Sequence, residues 1–211
     1  MNQQVNSLMS AIRLGKHHAV NATRKATQNS STLLFLRELF AHPAAAGAPW
    51  PSSRQLGRRM AAPVAPEGQG LVIEVGAGTG VITQALLDRG VGAERLLVVE
   101  RSPLLCEHLR KRFPQLRVVL GDAVDLQTMI PDGASIDALV SSVPLRSLPF
   151  MESEAIVAHW QETMPKGTLL VQFTYALTGP LRHLSARLTP GQTSVAWRNF
   201  PPARVVCFEF G

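Results

Sequence analysis

The sequence predicts an α/β domain. It has a doubly wound, mostly parallel sheet of seven strands, an antiparallel C-terminal hairpin and helices ahead of the sheet. Three observations carry this expectation. The apolar run Leu71-Val72-Ile73-Glu74-Val75 suits a strand buried on both faces, and it runs directly into alternating Gly76, Gly78 and Gly80. Beyond that turn, strand-like and helix-like segments alternate regularly. Finally, 211 residues with 45% hydrophobic content can bury one sizeable core, so one domain with an N-terminal extension is expected.

The elements follow in order. Residues 3–26 read as an amphipathic helix, with Val5, Leu8, Met9, Ile12, Ala19 and Val20 opposite Arg13, Lys16, His17 and Arg24. A polar stretch precedes a short helix over residues 32–41, apolar around a wide arc, which suits either a core or a membrane interface. A Pro/Gly loop over 42–51 leads to Ser52 and Ser53, which predict the cap of a helix through Met60. After the first strand, residues 79–88 have helical spacing. Strands are expected over 95–99, 117–120, 136–141 and 168–173, with helices over 103–113, 124–129 and 152–164 between them. A last pair, 194–197 and 203–208, predicts the edge hairpin. The domain division expected is a basic helical extension over 1–69 and a ligand-binding domain over 70–211.

The glycine spacing distinguishes between cofactors. A dinucleotide site carries G-x-G-x-x-G, whereas this chain has Glu74-x-Gly76-x-Gly78-x-Gly80. Two more acidic stations follow: Glu100, closing the second strand, where a carboxylate can accept ribose hydroxyls, and Gly121-Asp122-Ala123 after the third, where an adenine edge can be read. This set resembles the class I S-adenosylmethionine-dependent methyltransferases, with their Rossmann-like fold. The resemblance implies S-adenosylmethionine as cofactor, bound by Glu74, Gly76, Ala77, Gly78, Thr79, Gly80, Glu100, Arg101, Asp122, Ala123 and Ser141, with Ser53 from the preceding helix.

The fourth strand ends Ser141-Ser142-Val143-Pro144-Leu145, where base-methylating relatives carry N-P-P-Y or N-L-P-Y. Without that Asn and aromatic ring, a nucleobase acceptor is not expected. Four segments instead resemble the bacterial phospholipid N-methyltransferases, the soluble-type enzymes that convert phosphatidylethanolamine towards phosphatidylcholine. They are Phe35-Leu36-Arg37 with His42-Pro43 and Pro51-Ser52-Ser53-Arg54; the run from Ser141 to Pro149; Val171-Gln172-Phe173-Thr174-Tyr175; and Asn199-Phe200-Pro201-Pro202-Ala203. This resemblance implies N-methylation of a phospholipid amino group, with other amino-lipids such as ornithine lipids as alternatives. It also implies catalytic roles for Tyr175 and Ser142, and contacts to the lipid from Arg54, Tyr175, Pro144 and Leu145. The only tyrosine, Tyr175 follows the fifth strand, and an aromatic face suits an increasingly alkylated cation. Two other readings stay open: an RNA adenine N-methyltransferase and a non-catalytic lipid-binding scaffold.

Charge points to a surface. Residues 1–69 hold eight basic and two acidic side chains, whereas the remainder carries thirteen of each, so the whole net charge of +6 lies in the N-terminal third. A basic amphipathic segment predicts docking on an anionic membrane surface, and nucleic acid is not the expected partner. No run has the length of a spanning helix and no signal-peptide pattern is present, so a cytoplasmic protein peripherally held at the inner face of the membrane is expected. Cys106 and Cys207 form no C-x-x-C, the six histidines show no ligand spacing, and no metal is expected.

Overall fold

A computed structural model describes residues 51–211 except Pro180, Arg182, His183, Ser185, Ala186 and Phe200. The helices expected over 3–26 and 32–41, Trp50, and the side chains of Ser52 and Ser53 lie outside the described residues. The described elements are α1 (Pro51–Ala61), β1 (Leu71–Val75), α2 (Val81–Arg89), β2 (Leu96–Glu100), α3 (Pro103–Arg112), β3 (Arg117–Leu120), β4 (Ile136–Ser141), α4 (Phe150–Thr163), β5 (Leu169–Thr174), β6 (Thr189–Ala196) and β7 (Ala203–Glu209). Short 3-10 helices cover Ala93–Arg95 and Ala123–Met129, the second where a short helix was expected over 124–129.

The strands form one seven-stranded sheet in the order β3-β2-β1-β4-β5-β7-β6. β1 to β5 pair in parallel, and β7 is antiparallel to both β5 and β6, as the alternating pattern and final hairpin predicted. The connection from β1 to β2 moves one way along the sheet and β4 starts on the other side of β1. The carboxyl ends of β1 and β4 therefore flank the switch point where such sheets bind ligands. Almost every residue of β1, β2 and β4 is buried, which is why these strands read as continuous apolar runs rather than alternating ones.

Two cores sandwich the sheet. On one face Val72, Val98, Val140 and Val171 meet Leu56, Met60, Ile82, Leu86, Leu109 and Phe113 of the first three helices and their ends. On the other, Ile73, Leu97, Leu139 and Leu170 meet Ile156, Val157 and Trp160 of α4, and the Trp160 indole N–H donates to the Ala123 carbonyl at 2.8 Å.

The sheet-bearing compact unit runs from Trp50 to Gly211 and includes α1, which the sequence grouped with the extension over 1–69. Its exposed Arg54, Arg58 and Arg59 dominate its composition, yet Leu56, Met60 and Ala61 are buried. Gly57 allows this contact: a Cβ there would stand 3.0 Å from the Val81 carbonyl oxygen and 3.3 Å from the Ala85 Cβ. β6 begins five residues earlier than expected. Pro190 and Gly191 hid its start, and both are tolerated because β6 is the edge strand and its register shifts between Pro190 and Thr193.

Candidate active site

The site is built on the turns at the carboxyl edge of the sheet. Gly76, Gly78 and Gly80 have φ of 75°, 57° and 82°, a left-handed path that side-chain-bearing residues rarely follow. At Gly80 space is limiting as well, since a Cβ would meet Phe113 Cε2 at 2.5 Å and Leu109 Cδ2 at 2.9 Å. The turn therefore seats the start of α2 against α3. No side chain caps α2 at Gly80, so its first N–H groups remain available to a polar ligand.

Glu100 locks this turn to the next one. Its Oε2 accepts the Gly78 N–H at 2.9 Å and its Oε1 accepts the Ser102 N–H at 2.8 Å. A carboxylate has about four acceptor directions, so each oxygen retains capacity for a hydroxyl donor. Ser102 in turn caps α3, its Oγ accepting the Leu105 N–H at 3.4 Å ahead of Pro103. That Ser-Pro helix start was legible in the sequence, but its link to Glu100 was not.

Asp122 is a cap too. Its Oδ1 accepts the Val124 N–H at 3.3 Å, while Oδ2 stands 3.4 Å from Arg101 Nη1 in a partly exposed ion pair. Ala123 is buried, and Arg112 Nη1 donates to the Thr79 carbonyl at 2.7 Å. Ala77 is buried beneath the glycine turn.

Glu74 is fully buried, and neither carboxylate oxygen has a hydrogen-bond partner of good geometry. Burial pushes its pKa up to about 7. The nearby Thr83 hydroxyl and amide favour the charged form and partly oppose the shift, while the Glu100 charge adds to it. Thr83 is itself buried with an unpartnered hydroxyl, a polar position on α2 that the amphipathic pattern did not reveal. An unpaired buried carboxylate is costly. It marks a place where a cation or hydrogen-bond donor is expected.

On the β4 side, Ser141 is buried and its Oγ accepts the Val143 N–H at 3.2 Å. Ser142 flanks the glycine turn: a Cβ on Gly76 would lie 3.7 Å from the Ser142 Cβ, and the Ser142 Oγ is buried without a partner. Gln172, which sequence reasoning did not single out, donates from Nε2 to the Val143 carbonyl at 3.0 Å and leaves its Oε1 unpartnered. It props the acceptor loop from β5. Pro144 is half-buried and Leu145 is buried in the core under α4, so Leu145 presents no lipid-facing surface, contrary to the expectation.

Tyr175 lies just beyond β5 with 47% of its surface exposed. Phe173 meets its ring edge-on at a centroid distance of 5.5 Å. Shielding from water raises the pKa of its hydroxyl, and the neighbouring Asn199 side chain partly offsets the rise. Asn199, 6% exposed, also donates from Nδ2 to the Pro201 carbonyl at 2.8 Å, which holds the β6–β7 turn beside Tyr175. Arg54 is exposed at the start of α1, and the neighbouring Gln55 Oε1 accepts the Arg198 N–H at 2.8 Å, tying that helix start to the same turn.

Residues 72–167 match the family model described as a methyltransferase domain. The N-methyltransferase NodS of Bradyrhizobium japonicum WM9 superposes with a TM-score of 0.60 at 15% identity, over 76% of this chain and 97% of its own. The fold is that of the class I methyltransferases. NodS in complex with S-adenosyl-L-homocysteine superposes with a TM-score of 0.57 at 14% identity, over 77% of this chain and 91% of its own.

Two curated relatives match part of this chain. The ornithine lipid N-methyltransferase of Singulisphaera acidiphila is 36% identical over 121 residues, covering 55% of this chain and 63% of its own. The ribosomal RNA small subunit methyltransferase A of Chlorobium chlorochromatii is 27% identical over 111 residues, covering 50% of this chain and 39% of its own. The chain thus spans less than two thirds of either relative's length.

The residues at this sheet edge fit S-adenosylmethionine, the cofactor that the sequence resemblance implies. A sulfonium amino acid joined to adenosine needs an acidic partner for its ammonium, acceptors for two ribose hydroxyls and a cradle with no side chains in the way. The orphaned oxygens of Glu74, the spare acceptor capacity of Glu100 and the left-handed glycine turn supply these respectively. Glu100→Ala is expected to weaken cofactor binding at least several-fold. It also frees the Gly78 and Ser102 N–H groups, at about 1–3 kcal/mol of stability. Asp122→Ala should cost less on both counts, because its ion pair is partly exposed. Calorimetric titration and chemical denaturation check the order of the two.

Proposed function

We propose that the protein is an S-adenosylmethionine-dependent N-methyltransferase that acts on the primary amine of a lipid head group at a membrane surface. The observation that carries this reading is Tyr175. Its ring is half exposed at the carboxyl end of β5, next to the β4 loop, and the Asn199 side chain neighbours its hydroxyl. A base-methylating site would need an Asn and an aromatic ring on the β4 loop itself, which reads Ser142-Val143-Pro144-Leu145.

When bound, the cofactor supplies a methyl group on a sulfonium, open to in-line displacement by a neutral amine. The protein must then align the amine and let its proton leave. Ser142 Oγ, buried and without a partner beside the glycine turn, accepts an amine N–H and points the nitrogen lone pair away from itself. Gln172 and Ser141 fix that loop through Val143. The Tyr175 face stabilises the alkylated cation without demanding N–H donors, so it can serve successive methylations. The proton leaves to water, since no neutral base of suitable reach is required. Arg54 and the basic residues of 1–69 attract the lipid phosphate and the anionic surface, at the cytoplasmic face of the membrane. No described helix is long and apolar enough to cross a membrane.

The head group is read as phosphatidylethanolamine from the four quoted segments, while the 36% identity with an ornithine lipid enzyme favours the alternative. Incubation of the full chain with labelled cofactor and, separately, vesicles of phosphatidylethanolamine, vesicles of ornithine lipid, and RNA decides among them. Label in an extractable lipid is the expected result, and label in RNA alone would replace this reading with the base-methylating one.

A further inference from the structure

Exposed large apolar side chains are not scattered over this molecule. Among the described residues seven are exposed, and all lie at the carboxyl edge of the sheet. Leu104 and Leu120 sit on the β2 and β3 side, while the rest crowd the acceptor half. Phe150 and Met151, 62% and 76% exposed, open α4 after the β4 loop. Tyr175 and Leu177 follow β5, and Trp197, 68% exposed, tops the β6–β7 turn. The pairing of Thr174 with Arg204 and of Ala196 with Ala203 brings that turn alongside the end of β5. The described opposite edge carries no such side chain.

Single exposed apolar residues are ordinary; their confinement to one edge, around the mouth of the site, is not. Their chemistry is also selective. Exposed Arg54, Arg146 and Arg198 stand on the same loops and helix start, against Glu152 as the only carboxylate from 142 to 152, 175 to 179 and 197 to 202. Mixed Trp, Phe, Met and Arg suit a bilayer boundary, where apolar bodies enter the acyl region and guanidinium groups meet anionic head groups. A water-soluble acceptor would gain nothing from such a rim.

We propose that the acceptor-side rim, carrying Phe150, Met151, Leu177 and Trp197 with Arg146 and Arg198, is a membrane-docking face that presses into an anionic bilayer and opens the active site onto the lipid plane. This rests on the lipid reading above and adds where the described domain meets its substrate. Docking in this orientation lets a head-group amine reach the β4 loop without the lipid leaving the bilayer.

The test uses the full chain carrying Met151→Ser and Trp197→Ser together, with vesicles of equimolar phosphatidylglycerol and phosphatidylcholine. Co-sedimentation should weaken at least about tenfold, with calorimetric S-adenosylmethionine affinity unchanged and methylation of detergent-dispersed lipid retained. In a Trp50→Phe background, brominated lipid should quench tryptophan emission, and adding Trp197→Phe should remove most of that quenching, since the remaining Trp160 is buried. Undiminished vesicle binding by the double variant, or no quenching assignable to Trp197, overturns the proposal. Neither touches the lipid reading, which fails only if no amino-lipid is methylated even in detergent.

Discussion

Glu74→Gln is expected to stabilise the cofactor-free protein at pH 8 by about 1–2 kcal/mol and, at the same time, to weaken S-adenosylmethionine binding at least about tenfold. The sign follows from proton binding. The Glu74 carboxyl titrates at about 7 in the folded chain against 4.5 for an ordinary glutamate, so between those values the folded state holds the extra proton. Stability therefore falls as pH rises through that window, by about 3 kcal/mol in all, and levels off above it. The amide removes the charge but leaves a polar group buried, which is why only part of the penalty is recovered. Denaturation of both proteins between pH 5 and 8, with and without cofactor, reads this directly. The unsubstituted protein should lose stability across the range and the variant should not. Cofactor should abolish most of the difference, because its ammonium compensates the carboxylate. Parallel pH profiles would show that Glu74 is not the group that titrates.

Replacing Tyr175 by Ala should lower kcat/KM for lipid at least about tenfold with near-normal cofactor affinity, since Tyr175 lies beyond β5 and away from the Glu100 and Asp122 stations. Tyr175→Phe separates ring from hydroxyl. It keeps the cation-facing surface and the edge contact with Phe173, but loses the polar contact to Asn199. Activity close to that of the unsubstituted protein would place the effect in the ring, and a loss as deep as that of Ala would place it in the hydroxyl beside Asn199. Product analysis belongs with the rates, because a ring that binds alkylated cations should matter more for later methyl groups than for the first. Full activity of the Ala variant with an unchanged product distribution would leave Tyr175 as a packing residue.

The sequence by itself determined the sheet and its glycine turn. Strands buried on both faces must be continuously apolar, a left-handed turn must be glycine, and both facts are written in Leu71 to Gly80; regular alternation then orders the remaining parallel strands. Local spacing also foretold the final antiparallel pair, though not the bulged start of β6, where Pro190 and Gly191 read as a loop because only an edge position tolerates them. Tertiary structure alone decided the rest, because each remaining feature depends on partners distant in the chain. Gly57 lets α1 join the core against α2, although its charges read as an extension. Glu100 holds Gly78 twenty-two residues away, and Gln172 props Val143 from twenty-nine. Leu145 turns inward to the α4 core, whereas Trp197 and Met151 turn outward at the mouth of the site. Hydropathy is the same for an apolar side chain in either place; which way it faces is settled only when the strands on each side of it have paired.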